Sequence, residues 1–173
     1  MFSRRFFISL PIFALVYLAQ ESLVVQMRLP AGGFSFIVIF TLIWASMSTP
    51  EIGALTGFGA GLLMDLSQTS PGPLGHWTLV MILASYVISF LSYGDDHVRA
   101  NPLNIVFLVV AGVTLSQIFF ALLSLLLGEQ LGSFQNVLFI SAGTAFWSAI
   151  VTPLVLPLVS RLHAAVFGTV SRI

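Results

Sequence analysis

Residues 53–77 read GALTGFGAGLLMDLSQTSPGPLGHW: a glycine-rich apolar run ends in an aspartate, and a polar, proline-containing segment follows it. Gly53, Gly57, Gly61 and Asp65 are spaced four residues apart, so on a helix they share one face. Small residues at this spacing let a second helix approach closely inside lipid. We therefore expect this helix to be the packing axis of a helical bundle. The spacing does not decide whether the face is only structural or is also used by a ligand or partner.

At the C-terminal end of this helix, Asp65 would meet the negative end of the helix dipole, and burial would add a further cost. Hydrogen-bond donors must offset that cost. The candidate donors are the hydroxyls of Ser67, Thr69 and Ser70, the N–H groups that open the next helix at Leu74, Gly75 and His76, and the His76 ring. We favour the helix N terminus, because its first N–H groups have no partner within the helix. Asp65 is therefore predicted to join the third helix to the fourth.

The composition around this stretch is that of an integral membrane protein. Hydrophobic residues make up 58% of the 173 residues and charged residues only 7%, against about 25% charged residues in a soluble domain. The net charge of zero provides no electrostatic footprint for nucleic acid. The absence of cysteine excludes disulfides, thiolate metal sites and cysteine nucleophiles.

Six apolar segments predict a single all-α transmembrane domain, residues 1–173, with six spans. A span needs about 20 apolar residues, and the segments cover about residues 6–25, 34–47, 52–66, 74–93, 103–127 and 134–158. The second and third segments are short, so a re-entrant pair is an alternative to two full spans. The predicted helix boundaries include N-caps at Thr49, Asn101 and Ser133 and a stop at Gly128.

Arginine placement predicts the orientation of the spans. With the N terminus inside, five of the six arginines are cytoplasmic and only Arg28 is outside, in agreement with the positive-inside rule. Both termini are then cytoplasmic. Trp77 and Tyr93, at opposite ends of the fourth helix, are expected to anchor it at the two interfaces. Trp147 lies in the middle of the sixth helix and is expected to pack between helices.

The sixth helix carries a weaker small-residue face at Ser141, Ala145 and Ala149. Pro153 and Pro157 follow this face in register and are expected to kink the cytoplasmic end of the helix.

The sequence contains no catalytic motif, and we expect no enzyme activity, catalytic residue, cofactor or metal. Asp95, Asp96 and His97 are a candidate metal cluster, but a solvated loop explains them better. His76 and Asp65 are a candidate proton relay on the evidence of one pair alone. Glu21 is expected to pair with Arg28 at the interface.

Residues 50–91 resemble the rod shape-determining membrane protein MreD family. Its pattern is a glycine-rich helix ending in GLLxDL, a short turn, G-x-x-A-L and a later tyrosine; here these parts read GLLMDL from Gly61, GHWTL from Gly75, and Tyr86. The form GHWTLV is most similar to actinobacterial members. Thr78 stands at the usual alanine position, a difference expected to change little, and the turn is longer by about two residues.

The resemblance implies a non-enzymatic multi-pass scaffold in the plasma membrane. It would act in the bacterial cell-elongation (rod) complex, in cell shape and peptidoglycan synthesis. The implied direct partner is a bitopic membrane protein similar to MreC, with RodA and a class B penicillin-binding protein as indirect partners. The partner surface is expected to be the glycine face or the phenylalanine-rich outer surfaces of the second and fifth helices.

The fold of this family is similar to that of the substrate-binding subunits of energy-coupling-factor transporters. The alternative function is therefore a substrate-binding membrane subunit of a vitamin or micronutrient transporter. Those subunits often carry Ala-x-x-x-Ala on the first helix, whereas Ala14 and Ala19 are five residues apart here, which favours the scaffold.

Overall fold

The computed structural model describes residues 2–27, 29–67, 72–94, 101–129 and 132–168. These residues form an all-helical fold without strands, composed of α1 (Phe2–Ala19), α2 (Phe36–Ser46), α3 (Pro50–Asp65), α4 (His76–Ser92), α5 (Pro102–Leu126) and α6 (Phe134–Phe167). The C-terminal end of α1 continues as a π turn and a 3-10 turn as far as Met27. The predicted ends of the second to fifth segments lie within two residues of the observed ends, whereas α6 continues past its predicted end at residue 158.

The helix boundaries follow the predicted capping residues, and one of these, Thr49, caps without a side-chain bond. The Asn101 side chain accepts a hydrogen bond from the Leu103 N–H at 3.0 Å, and the Ser133 hydroxyl accepts one from the Asn136 N–H at 3.3 Å. At the end of α5, Gly128 adopts a φ of +76°, the left-handed conformation that commonly ends helices. Thr49 has the extended backbone of an N-cap, but its side chain makes no capping bond.

The packing axis of the bundle is α2, and the prediction that α3 holds this position is wrong. Ten of the eleven residues of α2, from Ile37 to Ser46, are buried. By contrast, α3 leaves Leu55, Phe58 and Leu62 partly exposed. The sequence of α2, FIVIFTLIWAS, is apolar around its whole circumference, which is the pattern of a helix covered on every side.

The segment before α2 is held against α6 by two close contacts. The Trp147 indole N–H donates to the Pro30 carbonyl at 3.1 Å. Trp147, which was expected to pack between helices, is half-buried and bonds a loop. A methyl group at Gly143 would lie 2.2 Å from the Ala31 carbonyl oxygen. Ala31 itself has a φ of +57°, which is uncommon for a residue other than glycine.

The buried face of α6 differs from the predicted small-residue face. Thr144, Ser148 and Thr152 are buried, whereas Ser141, Ala145 and Ala149 lie at the half-buried flank of the same stripe. Pro153 and Pro157 lie inside one continuous helix. The Thr152 hydroxyl donates to the Ser148 carbonyl at 2.6 Å.

Two of the described helices, α5 and α6, are long and apolar enough to cross a membrane. Their most apolar 18-residue windows have mean hydropathies of 2.4 and 1.7. The helices α2 and α4 are shorter apolar helices.

A matched pair of leucines tests the central position of α2. Leu42 is 0% exposed and Leu126 is 82% exposed. We expect Leu42→Ala to lower the free energy of unfolding in detergent micelles by about 2–5 kcal/mol, because it leaves a cavity in the core. Leu126→Ala should change it by less than about 0.5 kcal/mol. Equal effects of the two substitutions would contradict the central placement of α2.

Candidate functional site

The glycine face of α3 is covered by α4 along its whole length. A methyl group at Gly53 would lie 1.8 Å from the Ser89 hydroxyl, one at Gly57 2.3 Å from the Met81 carbonyl oxygen, and one at Gly61 2.5 Å from the Thr78 Cα. No side chain larger than hydrogen fits at these positions without a backbone shift. The three glycines therefore set the distance between the two helices.

Asp65 continues this face and lies against the first turn of α4. Its carboxylate accepts hydrogen bonds from the N–H groups of Gly75, Trp77 and Thr78 at 3.0, 2.9 and 2.9 Å. The Thr78 hydroxyl donates to the same carboxylate at 2.5 Å. The side chain is only 8% exposed. The bonds run to the N terminus of the fourth helix, which is the arrangement that the sequence predicts, although Leu74 and His76 are not among the donors.

The geometry explains why α4 takes its acceptor from another helix. Gly75 is the N-cap of α4, has a φ of +92°, and has no side chain to accept the free N–H groups. An N-cap side chain ordinarily bonds the second or third N–H of its helix, and here those are the N–H groups of Trp77 and Thr78. The N–H of His76 donates to the Pro73 carbonyl at 3.2 Å. Asp65 therefore acts as the N-cap that α4 lacks.

Other proposed donors to Asp65 bond elsewhere. The Ser67 hydroxyl donates to the Glu21 carboxylate at 2.7 Å. His76 Nε2 lies 3.2 Å from the Phe120 carbonyl oxygen, and its ring stacks on that of Phe120 at 4.2 Å. Because a carbonyl only accepts, Nε2 must carry the proton. His76 therefore connects the start of α4 to α5 and forms no proton relay with Asp65.

The expectation that threonine in place of alanine at position 78 changes little is wrong. An alanine at this position would provide the backbone N–H but not the hydroxyl, which makes the fourth bond to Asp65. The sequence signal was its place as the third residue of α4, within reach of any acceptor at the N-cap position. The prediction that Trp77 lies at an interface is also wrong. Trp77 is 9% exposed, and its ring packs against that of Phe120 with the ring centroids 4.7 Å apart.

The arrangement is suited to holding two helices together and leaves the carboxylate little capacity for chemistry. Four donors converge on the two oxygens of Asp65, which accounts for most of their lone pairs. Within the described ranges, no three His, Asp or Glu side chains are grouped so that they could hold a metal ion. Several residues named in the predictions lie outside the described residues: Thr69, Ser70, Arg28, Asp95, Asp96 and His97.

An apolar cavity of about 380 Å³ lies between α1 and α3. Phe13, Leu55 and Phe58 contribute to its walls. Among its polar residues, Thr56 already donates its hydroxyl to the carbonyls of Ile52 and Gly53. The cavity therefore offers few polar atoms that could orient a polar ligand.

No protein family, curated protein or solved structure matches the chain.

Two glycines of α3 provide a matched test of the close contact. Gly57→Ala places a methyl group 2.3 Å from a backbone oxygen, whereas nothing lies within 4 Å of a methyl group at Gly59. We expect Gly57→Ala to lower the unfolding free energy by about 1–3 kcal/mol. Gly59→Ala should leave it unchanged or raise it by up to about 1 kcal/mol, since alanine favours helix. Thermal unfolding in micelles measures both, and a tolerated Gly57→Ala would contradict the contact.

Substitutions at Asp65 test the hydrogen-bond cluster. Asp65→Leu leaves buried N–H groups without an acceptor, and we expect it to lower the unfolding free energy by about 3 kcal/mol or more. Asp65→Asn keeps one oxygen acceptor and should fall between the leucine variant and the wild type. Glu51→Gln, at an exposed acid of the same helix, is the control and should cost less than about 0.5 kcal/mol. Wild-type stability of Asp65→Leu would show that the cluster contributes nothing.

Proposed function

We propose that the chain is a six-span plasma-membrane protein with both termini in the cytoplasm. We further propose that it is a non-enzymatic scaffold of the bacterial cell-elongation complex, working with a bitopic protein similar to MreC. The observation that carries the proposal is the resemblance to MreD over residues 50–91. The structure adds that Gly61, Asp65, Gly75 and Thr78, which belong to the resembling motifs, meet at one contact between α3 and α4.

The exposed surface supports placement in a membrane. Only 28% and 22% of the apolar windows of α5 and α6 are buried inside the protein. A core helix of a soluble protein hides its apolar face, whereas these helices expose large side chains such as Phe107, Phe134 and Leu154. Lipid solvates such surfaces without cost, and water does not.

The short α2 fits this proposal as a helix enclosed by its neighbours. Eleven residues rise about 16 Å, about half of a hydrocarbon core near 30 Å. The loop before it contacts Gly143, well inside α6, so it would reach into the membrane. Non-helical backbone at such depth is tolerated where protein covers it. The loop and α2 together would thus make the second crossing of the six-span arrangement and not one arm of a re-entrant pair.

Two of the three candidate partner surfaces are covered within the bundle. The glycine face is occupied by α4, and α2 has almost no outer surface because all but its first residue is buried. The outer side of α5 remains accessible, with Phe107 77% exposed. A partner helix would therefore bind an outer face of the bundle.

The transporter alternative gains no support from the cavity between α1 and α3. Substrate-binding sites combine apolar walls with a few convergent polar groups. The hydroxyl of Thr56, one of the few polar groups in this cavity, is already bonded to its own helix.

Depletion of the protein in its own rod-shaped host tests the proposal. We expect cells to lose rod shape and localised wall synthesis, and we expect the purified protein to retain its bitopic partner. Expression of wild type or Leu126→Ala should restore shape. Unchanged shape and wall insertion after depletion, or a stoichiometric vitamin-sized molecule in the mass spectrum of the purified protein, would contradict the scaffold role.

A further inference from the structure

One glycine of α3, Gly59, is explained neither by helix packing nor by backbone conformation. Gly53, Gly57 and Gly61 face α4 at distances that admit only hydrogen, whereas no described atom lies within 4 Å of a methyl group placed at Gly59. Gly59 does not have a positive φ, so its backbone suits any residue. Glycine in a helix interior is less favourable than alanine. The open space beside Gly59 therefore calls for another explanation.

Gly59 lies in the wall of the apolar cavity of about 380 Å³ between α1 and α3. The cavity extends from Phe13, which is 6% exposed, to Leu55, Phe58 and Leu62, which are 36%, 44% and 43% exposed. It therefore connects the buried side of α1 with the outer surface of the bundle. A side chain larger than glycine at position 59 would reduce the open volume along this wall.

The walls of the cavity are hydrocarbon. None of the nine described residues that line it is charged, and both polar ones, Ser9 and Thr56, are buried. The Thr56 hydroxyl already donates to the carbonyls of Ile52 and Gly53 at 3.0 and 2.9 Å. Buried water needs about two to four polar partners, and a void leaves its lining atoms without contacts. The cavity is therefore suited to an apolar occupant.

The cavity also follows the direction of the chains in a bilayer. Its wall on α3 runs from Leu55 to Leu63, a rise of about 12 Å. In the proposed membrane orientation α3 crosses the bilayer, and this wall is comparable in length to the hydrocarbon of one leaflet, about 15 Å. The molecule that reaches the exposed side of such a cavity is a membrane lipid.

We propose that this cavity binds one acyl chain of a membrane phospholipid. The chain lies along α3 over Gly59, between the buried ring of Phe13 and the exposed ring of Phe58. The headgroup contributes nothing to recognition, because no charged side chain lines the described walls. This inference rests on the membrane placement in the proposed function and not on the scaffold role.

Native mass spectrometry of the full-length protein, released from nanodiscs of dioleoylphosphatidylglycerol, tests the site. We expect the wild type to retain one phospholipid and Gly59→Phe to retain none, because the added ring takes the place of the chain. Gly59→Phe should keep at least the wild-type thermal midpoint, since its ring enters open space. Ala111→Phe adds the same ring to the exposed face of α5 and should retain the lipid. If Gly59→Phe does not fold, Gly59→Leu serves the same purpose.

The outcomes separate this inference from the function on which it rests. Phosphatidylethanolamine and phosphatidylcholine with the same chains should be retained as well as phosphatidylglycerol, and selection of one headgroup would overturn a chain site. Equal retention by the wild type and Gly59→Phe, or no lipid on the wild type, would also overturn it and leave the scaffold role untouched. Failure of the wild type to enter the bilayer would instead overturn the membrane placement. Retention of only a detergent or an isoprenoid lipid would assign the cavity to another occupant and overturn the proposal.

Discussion

The carboxylate of Asp65 caps a helix to which it does not belong. Its own helix ends at Asp65, where the dipole disfavours a negative charge, and α4 begins beside it at a glycine that cannot cap the helix. Each defect is offset by the other, because the positive end of α4 meets the negative side chain. This pairing requires the backbones to be close, and the hydrogen-only positions at Gly53, Gly57 and Gly61 make that closeness possible. The resulting pair packs against α2, the helix at the centre of the bundle.

Periodicity predicted the helices well because apolar runs and caps are local properties. Asn101, Ser133 and Gly128 could be read directly from sequence, and the link from Asp65 to the next helix followed from counting unpaired N–H groups. The glycine spacing did not predict which helix lies at the centre of the bundle. Glycine spacing marks where two helices are closest, and burial on all sides marks the centre. Those properties belong to α3 and α2 respectively, and the uniformly apolar sequence of α2 was the signal for the second.

Contacts between segments far apart in the chain could not be predicted from the sequence, for a different reason. His76 bonds the Phe120 carbonyl, and Trp147 bonds the Pro30 carbonyl, both backbone acceptors far away in the chain. Every residue offers such an acceptor, so no residue type identifies the partner. The hydroxyl of Thr78 was undervalued because a comparison with alanine considers size alone. Its value depends on the carboxylate that the fold places beside it.

The interior of the bundle is filled by contacts between its own helices, so the outer surface is what remains accessible to other molecules. The glycines of α3 and Asp65, which belong to the resembling stretch, are occupied by helix packing and hydrogen bonds, so a partner has no access to them. In the proposed scaffold role, a partner would contact exposed helix faces. The glycine–aspartate stretch would then stabilise the platform on which those faces are displayed.

Hydrogen exchange of individual backbone amides in micelles tests the capping role of Asp65 most directly. First-turn amides of a helix usually exchange fast, because they lack a partner within the helix. The account predicts strong protection at Gly75, Trp77 and Thr78 in the wild type, with selective loss in Asp65→Asn, while Phe134 and Gln135 at the start of α6 exchange fast in both. Fast exchange of Trp77 and Thr78 in the wild type would contradict the claim that Asp65 caps α4.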